Sequence, residues 1–367
     1  MAGHHEHRDG MMPELDGVRA LAILAVLAHH GGYGTVKGGF LGVDLFFVLS
    51  GFLITLLLRR EWERFDRVSL PLFYARRALR ILPPLVVALV LAQVLGRFDW
   101  RQGAMPVLAF YANYVDHLAL GTMLHTWSLA VEEQFYLVWP VLFVAAMHFG
   151  GRRGAVAMAA AAFLAAIAFR LSLVAAGMDA EMIYRHGLAR SDSLAAGCLI
   201  ALVDRDRWRL AGSLIHRAFL YAFLAGFAVL SLVAVHTDAW LLGVGYSVFA
   251  VASAMFIAGL VALPPTAPLQ RLALWPVLTW IGRRSYGIYL FHVPIFVALE
   301  PFRERQNAIN LVLVTAARLG LTFLAAEISW RLVEAPALRL KRYFYPASAR
   351  STRGPSHGPR DASGTGA

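Results

Sequence analysis

The sequence predicts an all-α, polytopic integral membrane protein with about ten transmembrane helices and both termini in the cytoplasm. Three observations carry that expectation. The 367 residues are 59% hydrophobic and only 16% charged, whereas a soluble fold carries about 25% charged residues. Apolar segments of bilayer length recur along the chain. Arginines collect in the connections between them, as charge held on the cytoplasmic face does.

Taken in order, residues 1–12 form a polar tail, and His4, His5 and His7 belong to it rather than to a metal site. Arg19 precedes the apolar run LAILAVLA, but no small-residue cleavage site follows and His29-His30 interrupt it. The run is therefore a retained first span rather than a signal peptide. Ten apolar segments follow one another at 17–35, 39–58, 81–98, 127–148, 154–176, 190–203, 217–236, 240–263, 280–299 and 309–332. They are helices, because an open strand edge in hydrocarbon would leave backbone groups unpaired. The segment Arg59–Arg80 holds seven Arg against three acidic residues and is assigned to the cytoplasm. Arg152-Arg153, the DRDRWR cluster, Arg283-Arg284 and RLKR then fall on the same side, provided that residues 104–120 do not cross. That stretch is read as re-entrant or lying on the outer surface. The membrane domain covers 13–338, and 339–367 form a basic tail too polar to pack.

Composition also excludes function classes. The net charge of +11 does not indicate nucleic acid, since a nucleic-acid-binding domain would not bring this apolar mass. The single cysteine, Cys198, rules out an intramolecular disulfide and any Cys-rich metal cluster. In the run LAAGCLIALV it reads as a small packing residue.

Ionisable residues inside spans are costly and mark candidate sites. Arg19 and His30 are eleven residues apart, about three helical turns, so one helix face carries both, roughly 16 Å apart. The Arg suits an anionic headgroup and the His proton transfer; a snorkelling Arg and a hydrogen-bonded core His fit the same spacing. Asp44, in GGFLGVDLFFVLSGFLI, needs a partner, either His30 or a helix-end amide. Arg77 and Arg80 share one side of a short helix ahead of Pro83-Pro84 and suit phosphates or anionic lipid. Of Glu132 and Glu133, one is expected to anchor an internal Arg and the other to face solvent. Arg190 and Asp192 are placed at the extracytoplasmic mouth of a span, and Tyr286, Tyr289 and His292 close to one helical face. Arg170, Glu327 and Glu334 complete the charges in or near spans.

Five fragments in this order resemble the membrane acyltransferase-3 family: PELDGVRALAILAVLAHH, GGFLGVDLFFVLSGFLI, FYARRALRILPP, TWSLAVEEQFYLVWP and SYGIYLFHVPIF. The likeness runs from about residue 13 to 338 without departure at the signature positions. It implies a bacterial, multi-pass cell-membrane O-acyltransferase, usually an acetyltransferase. Such enzymes act on hydroxyls of surface polysaccharides, lipid-linked glycans or glycosylated natural products such as macrolides. By the same resemblance Arg19 and His30 are the essential pair and Arg77 and Arg80 the Arg-x-x-Arg motif. The chain looks like the type without an esterase-like domain. The partners implied are the lipid bilayer, acyl-CoA as donor substrate and a carbohydrate-containing acceptor; no tightly bound cofactor, metal or nucleic acid is expected.

The mechanism expected on both grounds has acyl-CoA gripped by Arg77, Arg80 and Arg19. His30 acts as general base or is transiently acylated, with Asp44 orienting it. Glu132, Arg190, Asp192, Tyr286 and His292 are the candidate substrate contacts, with Arg190, Asp192 and Tyr286 on the acceptor side. The rival reading is a polytopic transporter or flippase of a glycan or lipid, for which the sequence shows no inverted repeat.

Overall fold

The computed structural model describes residues 12–31, 34–96, 98–204, 214–303 and 308–344. The N-terminal tail up to residue 11, the DRDRWR cluster beyond Asp204 and the C-terminal tail from residue 345 lie outside the described residues. The described chain is helical throughout, in the order α1 (Glu14–His30), α2 (Leu41–Phe65), α3 (Leu70–Val94), α4 (Trp100–Leu108), α5 (His117–Leu120), α6 (Trp127–Ala175), α7 (Ala180–Arg185) and α8 (Ser191–Leu202). Then come α9 (Leu214–Val233), α10 (Tyr246–Ala262), α11 (Pro268–Ala273), α12 (Pro276–Ala298), α13 (Ala308–Ser329) and α14 (Ala335–Leu340), with short 3₁₀ and π turns between.

Every apolar segment expected from the sequence is occupied by helix, but among the described residues six helical stretches are long and apolar enough to cross a bilayer: 41–65, 70–94, 118–175, 216–233, 241–262 and 309–340. The others fall short for physical reasons. α1 has 17 residues and α8 only 12, so α8 rises about 18 Å. α12 carries Arg283, Arg284 and His292. α1 and α12 pack on each other and α8 packs on α2, and the polar groups of α12 find partners there, Arg284 on Glu327 and His292 on His30.

One expectation holds and one is refined. The segments 127–148 and 154–176, together labelled α6, are two helices, as expected, meeting at a kink at Gly151, whose φ of 56° and ψ of −151° are non-helical. A Cβ on Gly154 would lie 2.6 Å from the Ala146 carbonyl oxygen; eight residues of straight helix would separate them by about 12 Å. The chain therefore reverses there. Arg77 and Arg80 do not stand on a separate short helix: α3 runs unbroken through Pro83 and Pro84, as helices surrounded by apolar partners tolerate. In the 104–120 stretch, nine-residue α4 and four-residue α5 are far too short to cross.

α2 lies on α8, and glycine sets the distance. A Cβ on Gly51 would sit 1.9 Å from the Leu194 carbonyl oxygen, and one on Gly197 2.1 Å from that of Val48. Such approach is the packing mode of membrane helices that lack a hydrophobic drive to associate. Cys198 is free and fully buried in a side cluster with Trp139 and Phe143. α1 and α12 run side by side in the same direction. Gly282 meets the Asp16 backbone at one end, where a Cβ would be 1.8 Å from its oxygen, and His292 meets His30 at the other.

Candidate active site

The parallel pair α1 and α12 has a histidine end and an arginine end. At the histidine end, His30 Nδ1 lies 3.0 Å from the Val26 carbonyl oxygen and 3.3 Å from His292 Nε2. His292 Nδ1 lies 2.6 Å from the Tyr289 carbonyl oxygen. A carbonyl only accepts, so these bonds assign the proton of each ring to Nδ1. His292 Nε2 then accepts from His30, and His30 Nε2 keeps its lone pair. His125 stands edge-on to both His292 and Tyr289, with ring centroids 5.1 Å apart. Tyr289 donates to the His125 carbonyl at 2.5 Å and accepts from Ser128 at 2.7 Å.

A cavity of about 530 Å³ opens on this cluster, lined among others by His29, His30, Trp127, Tyr184, His236 and Tyr289. Its size falls in the ~300–1,000 Å³ range of small-molecule sites. Of the candidates singled out from the sequence, His30 and Tyr289 stand on its wall. His292, expected to touch substrate, is fully buried and stands behind His30 instead.

Asp44 differs from expectation more sharply. It does not meet His30. Its carboxylate accepts from Arg190, and from Ser193 at 3.3 Å, with Asp44 and Arg190 both fully buried. The Arg190 guanidinium also lies over the Tyr246 ring, 3.5 Å from its centroid. Asp192 pairs with Arg170 at 2.8 Å, again with both side chains fully buried, and accepts from Ser247 at 2.6 Å. Arg190 and Asp192 are thus not at an open mouth. Charges removed this completely from water must be paired, and two acids and two arginines on α2, α6, α8 and the turn before α8 pair with one another.

At the arginine end, Arg19 pairs with Asp16 at 2.5 Å, and Asp16 also accepts from Arg283 at 3.2 Å. Arg77 donates to Glu133 at 2.9 Å and stacks over Tyr136 at 3.6 Å. Arg80 lies within the fields of Arg19, Arg77 and Glu334 and forms no ion pair among the described residues. Tyr286, expected on the acceptor side, stands here instead and donates to the Ile81 carbonyl at 3.0 Å, one residue beyond Arg80. Glu133 is the glutamate that anchors an internal Arg. Glu132 does not face solvent as expected; it accepts from Ser50 and, at 3.4 Å, from Tyr136. Just past α14, burial and then the positive fields of Arg80, Arg77 and Arg76 push the Lys341 ammonium down to about 7.

The sequence reading missed two groups. Arg318, in the middle of α13 and 2% exposed, donates to the carbonyls of Gly31 at 3.3 Å and Phe296 at 2.9 Å and pairs with Glu300. It thereby binds the C-terminal ends of α1 and α12, where a cation also suits both helix dipoles. A charge inside the apolar run LVLVTAARLGLTFLAAE was a visible signal. The second group is Glu181, Arg185 and His236 on the cavity wall; they sit on a six-residue helix and a loop, where no periodicity points to them.

The family described as an acyltransferase domain matches residues 12–327. The peptidoglycan O-acetyltransferase OatA of Listeria monocytogenes is 31% identical over 354 residues, covering 89% of this chain and 55% of that protein. The putative peptidoglycan O-acetyltransferase YrhL of Bacillus subtilis is 33% identical, covering 91% and 55%. The O-acetyltransferase OatA of Staphylococcus aureus is 30% identical, covering 89% and 57%. The chain spans a little over half the length of these relatives. No solved structure matches it.

Proposed function

Because the chain belongs to the membrane acyltransferase-3 family, we propose that it is an integral-membrane O-acetyltransferase that moves an acetyl group from acyl-CoA to a hydroxyl of a carbohydrate acceptor. The names of its relatives favour a cell-wall glycan of the peptidoglycan kind as acceptor, and a bacterial cell membrane as its location. One observation carries the reading. His30 lines a cavity with Nε2 unshared and Nδ1–H held by Val26 and His292, while the arginines cluster at the far end of the same two helices.

The reaction follows from that arrangement. The acyl-CoA phosphates bind at Arg80, with Arg77 and Arg19 adding positive field, and the thioester reaches along α1 and α12 towards His30. His30 Nε2 takes the proton of the acceptor hydroxyl as its oxygen attacks the thioester carbonyl carbon. The C–O ester bond forms, the C–S bond breaks, and the imidazolium returns the proton to the departing thiolate. The acceptor nitrogen of His292 and the Val26 carbonyl, both facing Nδ1–H, stabilise the positive ring during the step.

Full-length protein in nanodiscs, given radiolabelled acetyl-CoA and an N-acetylglucosamine oligosaccharide, is expected to yield labelled ester and free CoA. His30→Ala should lower the rate by about 10²–10⁴-fold, the usual contribution of a general base. A well-folded His30→Ala protein transferring acetyl at the parent rate overturns the assignment.

A further inference from the structure

The wall of the cavity away from the His30–His292 pair carries a recognition surface of its own. Glu181 Oε2 lies 2.7 Å from His236 Nε2, and Glu181 Oε1 3.5 Å from Arg185 Nε. A carboxylate offers about four lone-pair directions. The Glu181 side chain is 33% exposed and lines the cavity, so a ligand there reaches its carboxylate. Beside it runs an unbroken belt of rings. His29 meets Phe40 at 5.9 Å, Phe40 meets His236 at 5.7 Å, His236 meets Tyr184 at 4.8 Å, and Tyr184 meets Trp127 at 4.8 Å between centroids. The belt begins one residue from His30 and ends at the first residue of α6. All of these residues line the cavity, as does Arg185.

This combination is specific chemistry. An acyl chain would need neither a carboxylate nor imidazoles, and would take water from them without offering a hydrogen bond in return. A pyranose ring offers one apolar face of C–H groups and a rim of hydroxyl donors. The first lies against aromatic rings, and the second donates to a fixed carboxylate with a charge-assisted bond. Resting on the transferase reading above, we propose that Glu181, fixed by His236 and Arg185, is the acceptor-recognition residue. It binds a hydroxyl of a saccharide that stacks on Trp127 and Tyr184, so that a second hydroxyl of the same saccharide meets His30. Glu181 is a specificity-determining residue in a site separate from the donor grip.

The test uses full-length protein in nanodiscs and an N-acetylglucosamine tetrasaccharide. Equilibrium binding of labelled tetrasaccharide without donor is measured for the parent, Glu181→Ala, Glu181→Gln and Trp127→Phe, alongside steady-state transfer. Glu181→Ala is expected to weaken binding about tenfold or more, the loss of one charged hydrogen bond, and to raise the KM for saccharide well above any change in the KM for acetyl-CoA. Glu181→Gln, which keeps an accepting oxygen, should fall between, and Trp127→Phe, which keeps a ring, should bind nearly as the parent. Equal binding by parent and both Glu181 variants overturns the subsite, as does an equal shift of the two KM values. Tetrasaccharide binding that depends on Glu181 in a protein that transfers nothing would uphold the subsite and sink the transferase reading instead.

Discussion

His30 and His292 are 262 positions apart in the chain, yet their ring nitrogens Nδ1 and Nε2 stand 3.3 Å from each other. The parallel packing of α1 and α12 makes that contact, and the Tyr289 carbonyl fixes its direction by holding the proton of His292 on Nδ1. His292 is buried behind His30 and off the cavity wall, so on the reading proposed above it positions His30 rather than touching substrate.

Replacing His292 by Ala should therefore lower kcat on the order of tenfold while leaving the KM for acetyl-CoA near the parent value, since the interaction lost is one that matters as charge develops on His30. His292→Gln retains an oxygen able to accept from His30 Nδ1 and should recover part of the rate. Steady-state kinetics on the two variants decide it: equal losses in both, with KM rising alongside, would indicate a packing role only.

The Asp44–Arg190 pair leads to a different expectation. Removing one member of a buried pair leaves an unbalanced charge and costs about 3–5 kcal/mol, whereas removing both is far milder. Asp44→Asn and Arg190→Gln should each depress thermal stability in detergent, and the double variant should melt above either single one. The double variant should also keep measurable transfer, because neither side chain touches His30. A stable but wholly inactive double variant would restore Asp44 to the catalytic apparatus.

Local geometry made much of this legible. The Arg19–His30 register follows from helical pitch alone, and Arg77 and Arg80 share a face whether or not Pro83 and Pro84 end the helix. Partnerships across the fold were not legible. Asp44 and Arg190 lie 146 positions apart, and a carboxylate in an apolar run announces only that it needs a cation, not which one. Of the ten expected spans, those at α1, α8 and α12 do not reach the length and apolarity of a crossing helix by themselves, since a helix packed against other helices is partly released from the demands that lipid imposes. Tyr286 and His292, expected close to one helical face, point to different neighbours: six residues turn the helix by roughly 600°, leaving the two side chains about 120° apart, so Tyr286 meets α3 through the Ile81 carbonyl and His292 meets α1 through His30.

Arg318 should behave as the clamp of the histidine end. Its loss leaves the Gly31 and Phe296 carbonyls without this donor, each unsatisfied group costing about 1–3 kcal/mol. Arg318→Ala is expected to lower the melting temperature and kcat together. Arg318→Lys keeps the charge at the two helix C-termini but lacks the fork that reaches both carbonyls and Glu300, so stability should return more fully than kcat. Parallel recovery of both quantities would remove the positioning role.

Arg80 and Arg77 should not contribute equally to donor binding. Arg77 is committed to Glu133 and to the face of Tyr136, whereas Arg80 forms no ion pair among the described residues and is available to a phosphate. Arg80→Ala should raise the KM for acetyl-CoA about tenfold, the scale of one guanidinium–phosphate contact, and leave the saccharide KM nearly fixed. Arg77→Ala should mainly lower stability, because it strands Glu133. The reverse ordering, with Arg77 controlling the donor KM, would place the phosphates elsewhere on α3.

Lys341 adds a pH dependence at the same end. Its ammonium is pushed down to about 7 by burial and by Arg80, Arg77 and Arg76, so the free protein carries this charge below that pH and loses it as pH rises through it. Binding of an anionic donor must then weaken over the same interval. Coenzyme A itself ionises as pH rises, in the opposite sense, so the informative quantity is the difference between the parent and Lys341→Arg, whose guanidinium stays charged. Titrating coenzyme A into nanodisc-embedded protein between pH 6 and 8.5 (roughly one unit below to more than one above the shifted value) should give affinities that converge at the acid end. The arginine variant should bind several-fold more tightly at the alkaline end. Curves that run parallel across the whole range would show that Lys341 takes no part in holding the donor.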